Sequence, residues 1–505
     1  MITDDFPIKE LTPVFPSYDH QKIGFDLMYG KEFFGLFMEM GTGKTKLCVD
    51  EFVSLFLKGE IDGVIITAPK SFYLNWLKEI PKHMPKDVPY RLLFWDADLP
   101  PRKRERLWGM LIPEPNKLDI LLINVEAFAN NRGFWFGQEF AKMHYPYFIV
   151  DESTCIKNAN AERSKAVRKV AEYCNYKRIL TGTPLTQGPL DLFGQFEFLK
   201  PGMLGFTSYT SFKAYHADVR VITYGTRRFE KIDGFKNVRE LQDKIKPYVY
   251  RVLKADCLDL PEKIFKRIEV PWTPEQTRIY TEMKDEYMVQ FSREHVVSTT
   301  SALSALTKLH QINCGHVTLN PKTPGGKGEV VRIKNNRIKI MLELVELIPG
   351  KIIIWAKFKE DIKMIIQALI EAYGDGCAVD YYGDTITSQR IKNLEAFDND
   401  PNCRFFVSNE TGSKSLTLVQ AAYAIYYSYD HKLETWLQSQ DRNHRIGQDK
   451  NVTYFTMVTP KSVDETILKN LFRKRDMSAE FLDWKQVIDD QEEPEKGTTS
   501  PFLDW

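Results

Sequence analysis

The sequence contains no apolar run near the ~20 residues that a membrane-spanning helix needs. Its start, Met1-Ile2-Thr3-Asp4-Asp5, is acidic with no apolar stretch behind it. Neither a spanning helix nor a secretory leader is expected. Cysteine is sparse: seven residues, at 48, 155, 174, 257, 314, 377 and 403, with no Cys-x-x-Cys pair. That scatter argues against a zinc site or a disulfide framework and fits a reducing cytosol. Charge of one sign is also missing, since 69 Lys and Arg face 68 Asp and Glu for a net charge of +1. A surface that is basic throughout is excluded, so any nucleic-acid site must be a local groove. No long internal repeat is visible. What remains is ordinary globular composition, 43% hydrophobic and 27% charged, over 505 residues. That length sets an expectation of two or three domains.

The most informative stretch is Phe33-Phe34-Gly35-Leu36-Phe37-Met38-Glu39-Met40-Gly41-Thr42-Gly43-Lys44-Thr45. An apolar run predicts a buried strand, the Gly-Thr-Gly turn breaks it, and Lys44 opens a helix. Glycines let backbone N–H groups approach phosphate oxygens, and a helix N-terminus favours their charge. Met40, Gly41, Thr42, Gly43, Lys44 and Thr45 are the candidate phosphate cradle, with Lys44 on the outer phosphates and the Thr45 hydroxyl on Mg2+. The full phosphate-loop pattern has glycine where Met38 stands, and a bare Gly-x-Gly-Lys-Thr also occurs in surface turns. Upstream, Tyr18-Asp19-His20-Gln21-Lys22 opens an amphipathic segment. The Gln21 amide suits an adenine edge, or is a solvated glutamine at a helix start.

Further strands follow at Val64–Ala68, Asp119–Asn124 and Tyr147–Val150. After the first of these, Lys70 and Ser71 sit where strand meets helix, the edge at which open α/β sheets bind ligands. They are candidate nucleic-acid phosphate contacts, or a plain turn with a solvated lysine. Phe72 to Ile80 is expected to be a helix with Trp76 on its apolar face. The run Arg102-Lys103-Arg104-Glu105-Arg106 fits a solvated helix face. Asp151 and Glu152 follow the strand Tyr147–Val150, which places two carboxylates at its C-terminal end. Asp151 would hold Mg2+ through water, and Glu152 would position and deprotonate the attacking water. An exposed Asp-Glu at a strand end is the plainer alternative. Thr181-Gly182-Thr183-Pro184, after another strand, is a polar turn able to sense the phosphate state, or a tight loop.

From Pro201 to about Asn336 the strand–helix rhythm lapses, with helical patches expected at 238–256 and 274–313 and a flexible connector at Asn320–Gly328. It then resumes with strands at 351–355, 378–382, 404–408, 424–428 and 452–458, and helices at 361–373, 389–397 and 433–443. This alternation predicts a second parallel sheet with no phosphate loop of its own. Arg442 and Arg445, spaced i, i+3, would share one helix face and suit a polyphosphate. A solvated basic helix end is the alternative. His444 fits a hydrogen-bonding role better than a metal ligand. The acidic stretch from about 488 is expected to be disordered. It ends in Phe502-Leu503-Asp504-Trp505, which repeats Phe481-Leu482-Asp483-Trp484. Chance explains the repeat by default; a tail that docks on a replication or repair partner, or folds back on its own lobe, is the other reading.

Taken in order, these stretches resemble the Snf2-like branch of superfamily 2 helicases and translocases. The resemblance covers roughly residues 15–475. Its glutamine region is Tyr18–Gln21, and motifs I, Ia and Ib are Glu39–Thr45, Ala68–Glu79 and Ile123–Phe128. Motif II is Asp151-Glu152-Ser153-Thr154, and motif III is Leu180–Gln187, with Asp191–Pro201 continuing the pattern. Tyr250-Arg251-Val252-Leu253-Lys254 with Leu260-Pro261 resembles the landmark between the lobes. Lys308–Ile312 also fits, as does motif IV at Ile352–Phe358. Motif VI ends His444-Arg445-Ile446-Gly447-Gln448, an ending typical of the Snf2-like branch. Motif V departs: Thr411-Gly412-Ser413-Lys414-Ser415-Leu416 stands where Gly-Gly-x-Gly-Leu is usual, and Lys414 offers a compensating phosphate contact. Ser439 replaces a usual alanine.

The resemblance implies an α/β fold of two RecA-like parallel-sheet lobes with helical insertions and ATP in the cleft between them. Lobe 1 would span 1–260 with a helical protrusion at about 205–255. Lobe 2 would span 261–480 with an insertion at about 272–335, and 481–505 would be a tail. ATP and Mg2+ are the implied cofactors, Arg442 and Arg445 the implied arginine fingers. Lys70, Ser71, Lys357, Thr411 and Lys414 are candidate DNA contacts. The implied activity is a DNA-dependent ATPase, a monomeric motor tracking on duplex or forked DNA with little sequence preference. It would work in the cytoplasm of a bacterium or a phage-infected host, without a membrane. A strand-separating helicase and an ATP-controlled scaffold with little turnover are the alternatives.

Overall fold

A computed structural model describes residues 13–70, 72–224, 227–293, 299–319, 328–410 and 416–482. The chain divides into two compact units. The first takes in Met1–Val219, Ile232–Asp259 and Met477–Trp484; the second takes in Arg220–Lys231, Leu260–Asp476 and Lys485–Trp505.

In the first unit the strands are β1 (Phe33–Met38), β2 (Gly63–Ala68), β3 (Tyr90–Phe94), β4 (Leu118–Asn124), β5 (Pro146–Asp151) and β6 (Tyr176–Leu180). A two-stranded ribbon follows, β7 (Ala217–Tyr224) and β8 (Arg227–Phe235), of which Arg220–Lys231 is counted with the second unit, and then β9 (Val249–Val252). Seven of these form one sheet, in the order β3-β4-β2-β5-β6-β1-β9. Every pairing in it is parallel. Side chains alternate between its faces, as a period of two requires. Phe37, Ile65, Leu121, Phe148 and Ile179 join the core on one side. Leu36, Ile66, Leu122, Ile149 and Leu180 join the core on the other. Burial on both faces is why these strands are near-continuous apolar runs.

The second unit holds β10 (Lys263–Glu269), a short hairpin of β11 (His316–Thr318) and β12 (Val330–Arg332), and then β13 (Ile352–Trp355), β14 (Ala378–Tyr381), β15 (Phe405–Ser408), β16 (Tyr423–Tyr426) and β17 (Val452–Val458). Six of them form a parallel sheet, β10-β17-β16-β13-β15-β14, again with a core on each face. The fold is thus α/β, two RecA-like parallel-sheet lobes carrying helical segments.

Several local expectations are corrected. The stretch 238–256 is not helical throughout: after the helix Val238–Ile245 the chain extends as β9 and pairs with β1, Gly35 opposite Val249. The region at 205–255 also contains the β7–β8 ribbon. Strands β3 and β10 were not anticipated, because neither presents a continuous apolar run and both are only partly buried. Of the first Phe-Leu-Asp-Trp copy, Phe481 and Leu482 are core residues of the first unit, and Gln242 Nε2 donates to the Phe481 carbonyl at 2.6 Å. The connector at 320–327 and the tail from Asp483 lie outside the described residues.

Candidate functional site

The loop after β1 returns on itself because Gly41 (φ 84°) and Gly43 (φ 95°) occupy the left-handed region, which side chains with a Cβ avoid. Gly43 is also the N-cap of the helix Lys44–Leu57 and supplies no side-chain cap. The first-turn N–H groups there have no intrahelical acceptor, which suits the loop to an anion. Lys44 Nζ donates to the carbonyls of Met38 (2.7 Å) and Glu39 (3.2 Å), so its ammonium lies in the loop. Thr45 is the second residue of the helix and is half-buried.

Gln21 is 4% exposed and is not the solvated glutamine of the plainer reading. Its Oε1 accepts from the Tyr18 N–H at 3.2 Å, and its Nε2 donates to the Thr42 carbonyl at 3.3 Å. A Cβ at position 43 would lie 2.0 Å from Gln21 Nε2 and would push that amide off the loop, while the positive φ is what favours glycine there. His20 Nε2 reaches the same Thr42 carbonyl at 2.8 Å. The glutamine region therefore holds the loop.

β6 lies between β1 and β5, and all three run parallel. Their C-terminal ends, carrying Lys44, the Thr181–Pro184 turn and Asp151, share one sheet edge. Asp151 Oδ2 accepts from the Trp76 indole N–H at 3.0 Å, and Oδ1 accepts from the Glu152 N–H at 3.0 Å. Burial pushes the Asp151 carboxyl up, and the Lys44 charge opposes that rise. Glu152 has φ 50° and ψ 58°, a left-handed conformation rare outside glycine and concentrated at functional sites. The Thr181 N–H donates to the Leu36 carbonyl at 3.1 Å, which ties the third turn to β1.

Three positioning contacts escaped the sequence reading. Gln195 accepts from the Ser153 hydroxyl at 2.6 Å and donates to the Pro184 carbonyl at 2.9 Å, joining the carboxylate loop to the threonine turn. Its signal was an amide inside the apolar helix Leu192–Leu199. Asp191 Oδ2 takes the N–H groups of Thr186 and Gln187, both at 2.8 Å. Glu39 Oε2 accepts the Lys254 N–H at 2.7 Å, tying the phosphate loop to the segment after β9.

In the second unit the helix begun at Leu433 ends at Gln440. Arg442 and Arg445 therefore lie in the turns beyond it rather than on one helical face. Beyond the helix, Arg442 Nε donates to the Gln438 carbonyl (2.8 Å), and the Gln440 carbonyl accepts both the His444 N–H (3.1 Å) and the Tyr454 hydroxyl (3.0 Å), so these carbonyls are satisfied within turns. Arg442 is buried, whereas Arg445 is more accessible and donates to Thr417 Oγ1 at 2.9 Å. His444 Nε2 bonds the Pro261 carbonyl at 2.7 Å, a hydrogen-bonding role. Lys357 Nζ lies 3.9 Å from Asp430. Lys70 is exposed; Ser71, Thr411 and Lys414 fall outside the described residues.

Glu410, at the residue before Thr411, is buried and accepts the Asp430 N–H at 3.3 Å. Burial is the main reason its carboxyl is pushed up to about 8; the Asp430 charge adds to the rise, while the Asp430 N–H and the Lys357 charge oppose it. A carboxyl raised on folding holds its proton more tightly in the folded chain. Stability therefore falls as pH rises from about 4.5 towards about 8 and then levels off. Glu410→Gln is expected to raise the melting temperature at pH 8 by several degrees (roughly 2–4 °C per kcal/mol for a domain of this size) and to change it little at pH 5. Melting curves at the two pH values check this.

The SNF2-related domain matches residues 20–318, and the helicase conserved C-terminal domain matches residues 336–447. The chain belongs to the SNF2-related family. An uncharacterized ATP-dependent helicase of Mycoplasma pneumoniae is 26% identical over 450 residues, 88% of this chain and 40% of that protein. The human SWI/SNF-related matrix-associated actin-dependent regulator of chromatin subfamily A member 1 is 26% identical over 468 residues, 90% of this chain and 42% of that protein. The SNF2-related chain thus spans less than half the length of these relatives. Among solved structures, the Sulfolobus solfataricus SWI2/SNF2 ATPase core in complex with dsDNA is 24% identical, covers 94% of each chain and has a TM-score of 0.42.

The SNF2-related site has the donors a magnesium nucleotide requires. Left-handed glycines and a helix N-terminus suit the phosphates. The Thr45 hydroxyl and the Asp151 carboxylate are hard oxygen donors suited to Mg2+. Among the described residues no helix is long and apolar enough to cross a membrane.

Proposed function

We propose that this chain is a DNA-dependent ATPase that uses ATP hydrolysis to move on double-stranded or forked DNA. The observation that carries the reading is the shared edge of β1, β6 and β5, where Lys44 and the Asp151–Glu152 pair meet. In this reading Lys44 and the loop N–H groups hold the phosphates. Thr45 and Asp151 hold Mg2+, which neutralises charge developing on the phosphates. Glu152 orients the attacking water and takes its proton. Arg442 and Arg445 are assigned to the charge on the transferred phosphoryl group. The threonine turn, tied to both loops, responds to the γ-phosphate.

DNA is held chiefly through its phosphates, with Lys70 and the residues around it as the first-unit contact. Binding is then weakly sequence-dependent and falls steeply with salt. A net charge of +1 supports a contact confined to a local groove rather than a surface basic throughout. The test is steady-state ATPase with no DNA, single strands, duplex and a fork, with Lys44→Ala as the blank. Stimulation chiefly by duplex or fork is expected. Stimulation chiefly by single strands would favour a strand-separating helicase, and background turnover with every DNA would favour an ATP-controlled scaffold.

A further inference from the structure

Trp76 joins two parts of the first unit that the function proposed above assigns to different ligands. Its backbone follows directly from the Lys70 turn: the Phe72 and Tyr73 N–H groups both donate to the Pro69 carbonyl, and Asn75 N–H donates to the Phe72 carbonyl. The short 3-10 segment Tyr73–Asn75 then runs into the helix Trp76–His83. Trp76 is 2% exposed and packs in one core with Ala68, Phe72 and Tyr73. Its indole has a single polar group, a donor, and that donor goes to Asp151 Oδ2 at 3.0 Å.

The other Asp151 oxygen is taken by the N–H of Glu152, the residue in the left-handed conformation. The carboxylate is therefore fixed from two sides, one by its own loop and one by the segment that carries Lys70. β2 and β5 are hydrogen-bonded neighbours, Thr67 opposite Val150, so the Trp76 segment and the Asp151 loop leave adjacent strands. Between the Lys70 turn and the indole N–H stand only a few residues, of which Phe72 and Tyr73 are buried in the same core as Trp76.

We propose that Trp76 is a positioning residue that links the Lys70 turn to Asp151, so that engagement of a DNA phosphate at the turn strengthens the site's grip on Mg2+–nucleotide. Such coupling is reciprocal: Mg2+–nucleotide strengthens DNA binding by the same factor. The inference rests on the proposed roles of Asp151 and Lys70, and it concerns how they communicate.

The experiment measures ADP affinity of the full chain by titration calorimetry, with and without Mg2+ and with and without duplex DNA. It compares the native protein with Trp76→Phe, which keeps an apolar ring and removes the donor. Partners of metal-binding groups typically change metal affinity 10–100-fold when lost. Trp76→Phe should accordingly weaken Mg2+–ADP about 10-fold. Metal-free ADP should stay nearly unchanged, and duplex should no longer improve Mg2+–ADP binding. Benzothienylalanine at the same position, which matches the indole in shape and lacks the N–H, should behave in the same way and guards against a folding defect. Equal weakening of ADP with and without Mg2+, or an unchanged response to duplex, would overturn the inference. If the native chain bound no Mg2+–ADP at all, the reading of Asp151 would fall along with it.

Discussion

Glu152→Gln is expected to lower ATP turnover by about 10³-fold, within the 10²–10⁴ range of general acid–base catalysis, while ATP affinity stays within a few-fold of the native value. Glutamine keeps the shape and one hydrogen-bond acceptor but cannot take a proton from the attacking water. The conformation of Glu152 sharpens the expectation. A non-glycine residue at φ 50° is held in place by its surroundings. Here its N–H is bonded to Asp151 Oδ1, and its neighbour Ser153 is bonded to Gln195. The loop should therefore keep its geometry when the carboxylate becomes an amide, and the loss should appear in kcat rather than KM. Lys44→Ala is expected to act differently, because the role proposed for Lys44 is a ground-state contact with the phosphates. Normal turnover by Glu152→Gln, measured at saturating ATP and DNA, would show that another group is the base.

Arg178→Met is expected to destabilise the chain by about 3–5 kcal/mol, the cost typical of removing one partner of a buried ion pair. Arg178 is fully buried in β6. It donates to Glu51 at 2.9 and 2.5 Å, and to the carbonyls of Lys31 (2.7 Å) and Met28 (3.2 Å). Tyr147 in β5 also donates to Glu51. One guanidinium thus ties the helix behind the phosphate loop to β6 and to the chain entering β1. Methionine fills much of the volume but leaves the Glu51 carboxylate buried without its cation. The double variant Glu51→Leu, Arg178→Met removes both charges and should recover much of the loss. Denaturant unfolding of the three chains decides it; a single variant as stable as the native chain would mean that the pair is solvated or replaceable.

Much of this architecture was legible because a parallel sheet covered on both faces leaves long apolar strands. β1, β2, β4, β5 and β13 are such runs, and the chemistry-bearing residues follow them directly. β3, β9 and β10 were harder for the same reason reversed: Tyr90-Arg91-Leu92-Leu93-Phe94 and Lys263-Ile264-Phe265-Lys266-Arg267-Ile268-Glu269 carry charges suited to half-buried positions. The turn at Gly41 and Gly43 and the helix opening at Lys44 were legible from the break in the apolar run, whereas the phosphate-loop reading of Lys44 and Thr45 leaned on the order of the motifs downstream, since Gly-x-Gly-Lys-Thr also occurs in surface turns. Contacts made at a distance could not. Trp76 has the pattern of a core residue, and only the fold shows that its indole ends on Asp151, 75 positions away. Gln21 does stand at a helix start, the third residue of Asp19–Met28, but it is buried rather than solvated, with its amide on the Thr42 carbonyl. The Arg442–Arg445 spacing suggested one helical face, but the helix ends at Gln440 and both arginines lie in turns beyond it.

The central claim is that ATP hydrolysis drives movement along intact duplex, and displacement of a third strand from a DNA triplex tests it most directly. The native chain is expected to release the triplex-forming strand only when ATP and Mg2+ are present, to leave the two duplex strands paired, and to lose the activity in Glu152→Gln. Duplex-stimulated hydrolysis with no release of the third strand, or release that does not require ATP, would contradict it.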